Sequence, residues 1–106
     1  MTVVFRDVVL RRAAEDRDFC PAEWSDEVLA TYRRRLQQLD AVHLESDLHQ
    51  IRSLGVRVRS ASEGGALTIP LGKRVVLELH VESATNGLAV RVVLDGFAVL
   101  RKEKSA

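Results

Sequence analysis

Several things are missing or scarce in this 106-residue chain, and each absence closes off a class of protein. One cysteine, Cys20, excludes an internal disulfide and any cysteine-rich zinc site. It stands before Pro21 with no histidine beside it, so it reads as a packing or incidental thiol. No apolar run approaches the ~18 residues of a membrane span. Met1 to Phe5 lacks both the basic start and the apolar core of a signal peptide, which predicts a cytosolic protein. Neither sign of charge dominates, with 16 Lys and Arg against 15 Asp and Glu, so the whole molecule has no strong pull toward nucleic acid. A phosphate-cradling loop is missing too. The stretch GGALTIPLGKRVVLELH has a Gly72-Lys73 step, but Leu67 stands where the upstream glycine belongs and Arg74 where Ser or Thr would hold magnesium. A strand pattern rather than a helix follows Gly72, which removes a dinucleotide fingerprint as well.

What is present fits one small α+β domain, long enough for a single core and too short for two. Hydrophobic residues make up 46% and charged residues 29%, as in ordinary globular chains. Thr2 to Phe5 reads as a short β-branched strand. Arg6 to Glu15 reads as a modest amphipathic helix with Val8, Val9 and Ala13 on its apolar side. Asp16 to Pro21 breaks the pattern. Trp24, Val28, Tyr32, Leu36 and Leu39 then recur every three or four residues and predict a stronger helix with one apolar stripe. Ser25 is its candidate N-cap, or Pro21 a first-turn residue of a longer helix. Asp26 and Glu27 near its start, and Arg33, Arg34 and Arg35 later, complement the helix dipole. Leu44, Leu48 and Ile51 allow a further short helical turn.

After Gly55 the apolar period changes from 3.6 to 2. Val56 to Arg59, Leu67 to Leu71, Val75 to Val81 and Leu88 to Leu94 alternate, predicting an antiparallel meander of about four strands behind the helices. Asn86-Gly87 is a two-residue hairpin signal that sets Glu82 opposite Arg91, Val81 opposite Val92 and Leu79 opposite Leu94. A two-residue Gly72-Lys73 turn would throw the apolar rows onto opposite faces. A three-residue Gly72-Lys73-Arg74 loop instead sets Leu71 against Val75 and Ile69 against Leu77. Pro70 argues for an edge strand or an irregular strand end. The expected core face is Val56, Val58, Leu67, Ile69, Val75, Leu77, Leu79, Val81, Val90 and Val92. The other face carries Arg57, Arg59, Glu78, His80, Glu82 and Arg91, with Arg74 at its rim.

That second face supports two readings. An antiparallel sheet normally keeps one polar face in water, and Glu82 with Arg91 is then a surface pair of little energetic weight. Alternatively the face binds a phosphodiester, with arginine stabilising developing charge and His80 or Glu78 moving a proton. Arginine outnumbers lysine 13 to 3, which favours forked donors suited to phosphate or carboxylate. The three arginines from Arg52 to Arg59, with no acid among them, contrast with the mainly acidic run from Asp16 to Glu27.

The succession YRRRLQQLDAV, DLHQIRSLGVRVRS, GGALTIPLGKRVVLEL and LAVRVVLDGF resembles the RelE/ParE toxin superfamily, its HigB or "killer protein" branch in particular, from Phe5 to Phe97. The likeness lies in the order of elements and their apolar spacing. It implies that residues 1–106 are a single RelE-like domain with N-terminal helices packed on a roughly four-stranded antiparallel sheet. It further implies the toxin of a type II toxin–antitoxin pair, partnered by a cognate antitoxin. Many HigB-like members cut messenger RNA on the ribosome without metal or cofactor; ParE-like members inhibit gyrase, and a non-catalytic relative would act through protein binding alone. By position, Arg74 falls where the family's hairpin arginine sits and Arg59 in the basic position of the preceding strand. Pro70 replaces the first hairpin arginine, Gly72 an asparagine, and Phe97 a terminal His or Tyr. The expected catalytic set is therefore Arg74, His80 and Glu78, with His80 substituting for the terminal residue. Arg57, Arg59, Lys73 and Arg91 are expected to bind RNA, and no metal ligand is expected.

Overall fold

The computed structural model describes residues 2–42, 51, 54–60, 66–83 and 89–100. Its elements are β1 (Thr2–Phe5), α1 (Val8–Glu15), α2 (Asp26–Asp40), β2 (Arg57–Ser60), β3 (Ala66–Pro70), β4 (Val75–Ser83) and β5 (Ala89–Val99). The strands form one five-stranded sheet in the order β1-β5-β4-β3-β2. Strands β2 to β5 are the antiparallel meander that alternation predicts. The sheet is mixed, however, because β1 lies parallel to β5 at one edge, with Val3 opposite Val92 and Phe5 opposite Leu94. The purely antiparallel, roughly four-stranded sheet is thus corrected to five strands. Periodicity shows that Thr2 to Phe5 is a strand, but nothing local says which distant strand it joins.

Each helix begins at a side-chain cap. Asp7 Oδ1 accepts from the backbone N–H of Val9 at 2.8 Å and of Leu10 at 3.1 Å, satisfying donors that the first turn leaves open. Ser25 Oγ accepts from Val28 N–H at 3.1 Å, as expected, with Asp26 and Glu27 in the first turn. In α1 the buried residues are Leu10 and Ala13, whereas Val8 is 79% exposed. The stripe expected through Val8 and Val9 is corrected accordingly: the capped helix begins at Val8, and its start turns the Leu10 side inward. The α2 stripe holds, with Tyr32 and Leu39 fully buried, Val28 and Leu36 partly so, and Leu29 added.

Basic residues do not occupy the last turn of α2. Arg33 reaches across to α1 instead. Its Nε donates to Ala13 O at 3.3 Å and its Nη2 to Asp16 O at 3.0 Å and Arg17 O at 3.3 Å. The fork thereby caps the end of α1 rather than its own helix. Tyr32 ties the same two helices from inside, its hydroxyl donating to Leu10 O at 2.7 Å.

Leu67, Ile69, Leu71, Val75, Leu77, Leu79, Val92 and Leu94 form the sheet's inner face, in one cluster with Leu10, Trp24, Tyr32 and Leu39 from the helical layer. Val56 and Val81 pack on it half-buried. The expected core positions Val58 and Val90 have side chains outside the described residues. Ile69 pairs with Leu77, and Leu71 N–H donates to Val75 O at 2.8 Å, so the three-residue Gly72-Lys73-Arg74 loop is as expected. Pro70 is at a strand end rather than on an edge strand, since β3 lies between β4 and β2. Gly55, at φ +63°, lies against it; a Cβ there would meet Pro70 Cγ at 3.0 Å. The Asn86-Gly87 turn and the helical turn through Leu44 and Leu48 fall outside the described residues.

Candidate functional site

Glu82 pairs with Arg91, Val81 with Val92 and Leu79 with Leu94, the register expected for β4 and β5. Beyond Leu79 the ladder slips by one residue. Glu78 then faces Gly96 and Leu77 faces Phe97, leaving Asp95 as the extra residue of a bulge. Without the slip, strict alternation would turn Phe97 away from the core. With it, the Phe97 ring meets Trp24 edge-on at 5.1 Å and 74°, while Trp24 meets Tyr32 at 5.1 Å and 68°. The same slip presents Asp95 to the outer face.

There Asp95 joins two side chains. His80 Nδ1 lies 2.7 Å from Asp95 Oδ2, and Arg6 Nη1 donates to Asp95 Oδ1 at 3.4 Å. The histidine and aspartate side chains are 28% and 31% exposed, so the pair is sheltered yet reachable. Donation from Nδ1–H to the carboxylate fixes the ring's orientation. In the neutral ring it leaves the Nε2 lone pair as the basic site. Arg6 is held by its backbone: its N–H donates to Leu94 O at 3.0 Å, carrying the β1–β5 ladder one residue past Phe5. Two further carboxylates are close by. Asp7 Oδ2 and Glu78 Oε1 both lie within 4 Å of the point a Cβ on Gly96 would occupy. Among the described residues, no three His, Cys, Asp or Glu side chains converge closely enough to hold a metal ion.

The expected residues are thus only partly brought together. Glu78 and His80 share the outer face two residues apart on β4, about 7 Å along the strand. Arg57 joins Glu78 in one cross-strand row through Thr68. Arg91 is on the same face but forms an ion pair with Glu82, its Nε 2.7 Å from Glu82 Oε1. Arg74 and Lys73 are exposed at the β3–β4 tip. Arg74 stands six residues before His80, about 20 Å away along β4. A Cβ on the neighbouring Gly72 would meet Val28 at 3.2 Å, so the tip leans toward the helical layer. The strand thus brings His80 and Glu78 together on the outer face and leaves Arg74 at its far end. The Arg59 side chain lies outside the described residues.

Asp95 and Arg6 are the members that sequence reasoning missed. The available signal was Asp95-Gly96 inside an otherwise apolar strand, since a strand glycine often marks a bulge. Two surface grooves of about 420 and 430 Å³ lie elsewhere on the helices, one lined by Ala14, Arg17, Arg33, Leu36 and Gln37, the other beside Arg34 and Arg35. Arg33 uses its Nε and Nη2 to cap α1, so the first groove is lined by a residue with a structural role. Compared with protein-family models, with curated proteins and with solved structures, the chain matches none. No helix among the described residues is long and apolar enough to cross a membrane.

Proposed function

We propose that this chain is a toxin-like endoribonuclease of the RelE/HigB type whose base is His80 held by Asp95. The observation that carries the reading is the 2.7 Å contact between His80 Nδ1 and Asp95 Oδ2 on the sheet's outer face. The resemblance from Phe5 to Phe97 supplies the substrate class, and the His–Asp pair supplies a base where Phe97 leaves the family's terminal position empty of one. Nε2 of His80 takes the proton of an RNA 2′-hydroxyl as that oxygen bonds to the adjacent phosphorus. Asp95 stabilises the resulting imidazolium. The P–O5′ bond breaks, the departing 5′-oxygen takes a proton from water, and the hydroxide left behind is neutralised by the imidazolium proton. The products are a 2′,3′-cyclic phosphate and a 5′-hydroxyl. Arg57, Arg59, Lys73, Arg74 and Arg91 track the RNA backbone, and a cognate antitoxin protein restrains the enzyme.

Conditional expression with transcript mapping tests this. Growth should stop, and transcripts should carry new 5′-hydroxyl ends. His80→Gln should lower cleavage by roughly 10²–10⁴-fold, the range for losing a general base, and Asp95→Asn should lower it too. Arg74→Ala should weaken RNA binding more than turnover. Undiminished cleavage by His80→Gln would overturn the reading. A second reading rests on the carboxylates Asp7, Glu78 and Asp95 among the outer-face arginines, a mixed-charge surface that suits a protein partner. In that reading the chain is a non-catalytic relative binding its antitoxin or a gyrase-type target, and growth arrest without cleaved transcripts is its signature.

A further inference from the structure

We infer that Arg6, rather than the hairpin-tip Arg74, is the phosphate-binding residue at the scissile position; the inference rests on the ribonuclease reading. Three observations converge on it. First, Arg6 and His80 share the two oxygens of one carboxylate, Asp95, so the guanidinium is fixed beside the base rather than about 20 Å along β4. Second, its backbone is clamped on both sides. Its N–H continues the β1–β5 ladder at Leu94 O, and Asp7 immediately after it caps α1. A residue between a strand and a helix start in this way has its backbone already ordered, which lowers part of the ordering cost of binding. Third, the guanidinium is 68% exposed and makes one long 3.4 Å polar contact among the described residues, so most of its five N–H donors remain for an anion there.

The neighbouring charges limit where that anion can sit. Asp7 Oδ2 and Glu78 Oε1 close the Gly96 side to a phosphate by repulsion. The α1 N-terminus gives no alternative, because Asp7 already occupies the Val9 and Leu10 N–H groups. On the far side of His80, Arg91 is engaged by Glu82. Among the described side chains, Arg6 is the arginine that shares a carboxylate with His80, and Asp95 sets the spacing of the phosphate-binding fork and the base.

A single-stranded RNA oligonucleotide with one 2′-deoxy substitution at its cleavage position separates binding from turnover. Its affinity for the full chain is measured across a salt series, alongside cleavage of the unmodified oligonucleotide. Arg6→Gln should flatten the slope of log affinity against log salt by about 0.7, the value for one lost contact to a single strand. Cleavage should fall at least tenfold even at saturating RNA, and Arg6→Lys should restore the slope but only part of the turnover. Arg11→Gln, an exposed arginine paired with Glu15, is the control that should change neither. An unchanged slope and turnover in Arg6→Gln, with His80→Gln inactive, would overturn the role of Arg6 while leaving the ribonuclease reading intact. A wild-type chain that binds the oligonucleotide with an Arg6-dependent slope, and cuts RNA neither free nor presented on ribosomes, would retain the Arg6 site and remove the ribonuclease.

Discussion

Strand β4 is paired on both sides, and its two ladders differ. Toward β3 the pairing runs without a slip from Leu67 opposite Leu79 to Pro70 opposite Val76. Toward β5 it slips twice, once between Glu78 and Leu79 and again between Glu82 and Ser83. The regular ladder joins strands whose inner residues already alternate, so nothing has to be corrected. The bulged ladder reconciles two apolar runs out of phase, with Leu94 and Phe97 three residues apart and both turned toward the core. One extra residue resolves the conflict, and that residue is Asp95, the group that holds His80 and Arg6. Packing needs and site chemistry thus meet at one backbone irregularity, as bulges beside functional sites often show.

The largest expected effect concerns what the two ladders share. Leu77 is fully buried, opposite Ile69 on one side and Phe97 on the other. Leu77→Ala should cost about 2–5 kcal/mol in chemical denaturation, the range for truncating a buried leucine. A loss under 1 kcal/mol would mean that the bulge does not deliver Phe97 to the same core that Ile69 fills.

Next in size is the link from that core to the helices. Burial, and then the nearby Asp7 carboxylate, raise the Tyr32 phenol above its ordinary value of 10.0. A folded-state value above the unfolded one means that the neutral phenol's contribution is complete below pH 10 and declines as pH rises past it. The decline should be about 1.4 kcal/mol per pH unit once the unfolded phenol ionises. Tyr32→Phe should remove this alkaline component while costing about 1–3 kcal/mol at neutral pH through the hydrogen bond to Leu10 O. Denaturation curves at pH 8 and above pH 10 for both chains check it; parallel losses in the two would refute it.

Gly55, before β2, and Gly96, inside β5, should separate more finely. Gly55 has φ +63° and faces Pro70, so Gly55→Ala should cost about 1–2 kcal/mol from the left-handed backbone alone. Gly96 lies in the bulge without a positive φ, and its added Cβ would meet Asp7 and Glu78 at ordinary contact distances. Gly96→Ala should change stability by less than about 1 kcal/mol, relieved of glycine's entropy cost. Equal costs at both sites would show that the bulge, too, requires glycine.

These contrasts explain how far the sequence could be read. Alternating Leu67, Ile69, Leu77 and Leu79 specified the regular ladder and its odd-length turn, because a one-residue error would expose a whole apolar row. Ser25 and the Tyr32–Leu39 stripe were legible for the same local reason. The parallel β1 edge was not, since its partner β5 lies some 90 residues away and parallel pairing leaves no turn signal. Asp95 and Arg6 escaped because a strict period of two has no place for an extra residue, and Arg33 because its carbonyl partners belong to another helix. The candidate site was visible as a face and His80 as a residue on it; its geometry was set by the slip.

The smallest expected effect tests the point at which the bulged ladder is still in register. Arg91 Nε and Glu82 Oε1 are 2.7 Å apart, directly opposite each other between the two slips, and the side chains are 50% and 49% exposed. Half-exposed ions lose much of their attraction to water and salt, so a double-mutant cycle should give a coupling of only about 0.2–1 kcal/mol. At an ionic strength near 1 M, where screening acts within about 3 Å, the coupling should shrink toward zero. The exchanged pair Glu82→Arg with Arg91→Glu should recover most of it, because directly opposed positions on a sheet favour opposite charges in either order. Either single substitution would set like charges face to face and lose stability by a similar amount. If the exchanged pair is no better than the sum of its single substitutions, Glu82 and Arg91 are not opposite in solution. The slip would then begin earlier in β5, and Asp95 would lose the position from which it reaches His80.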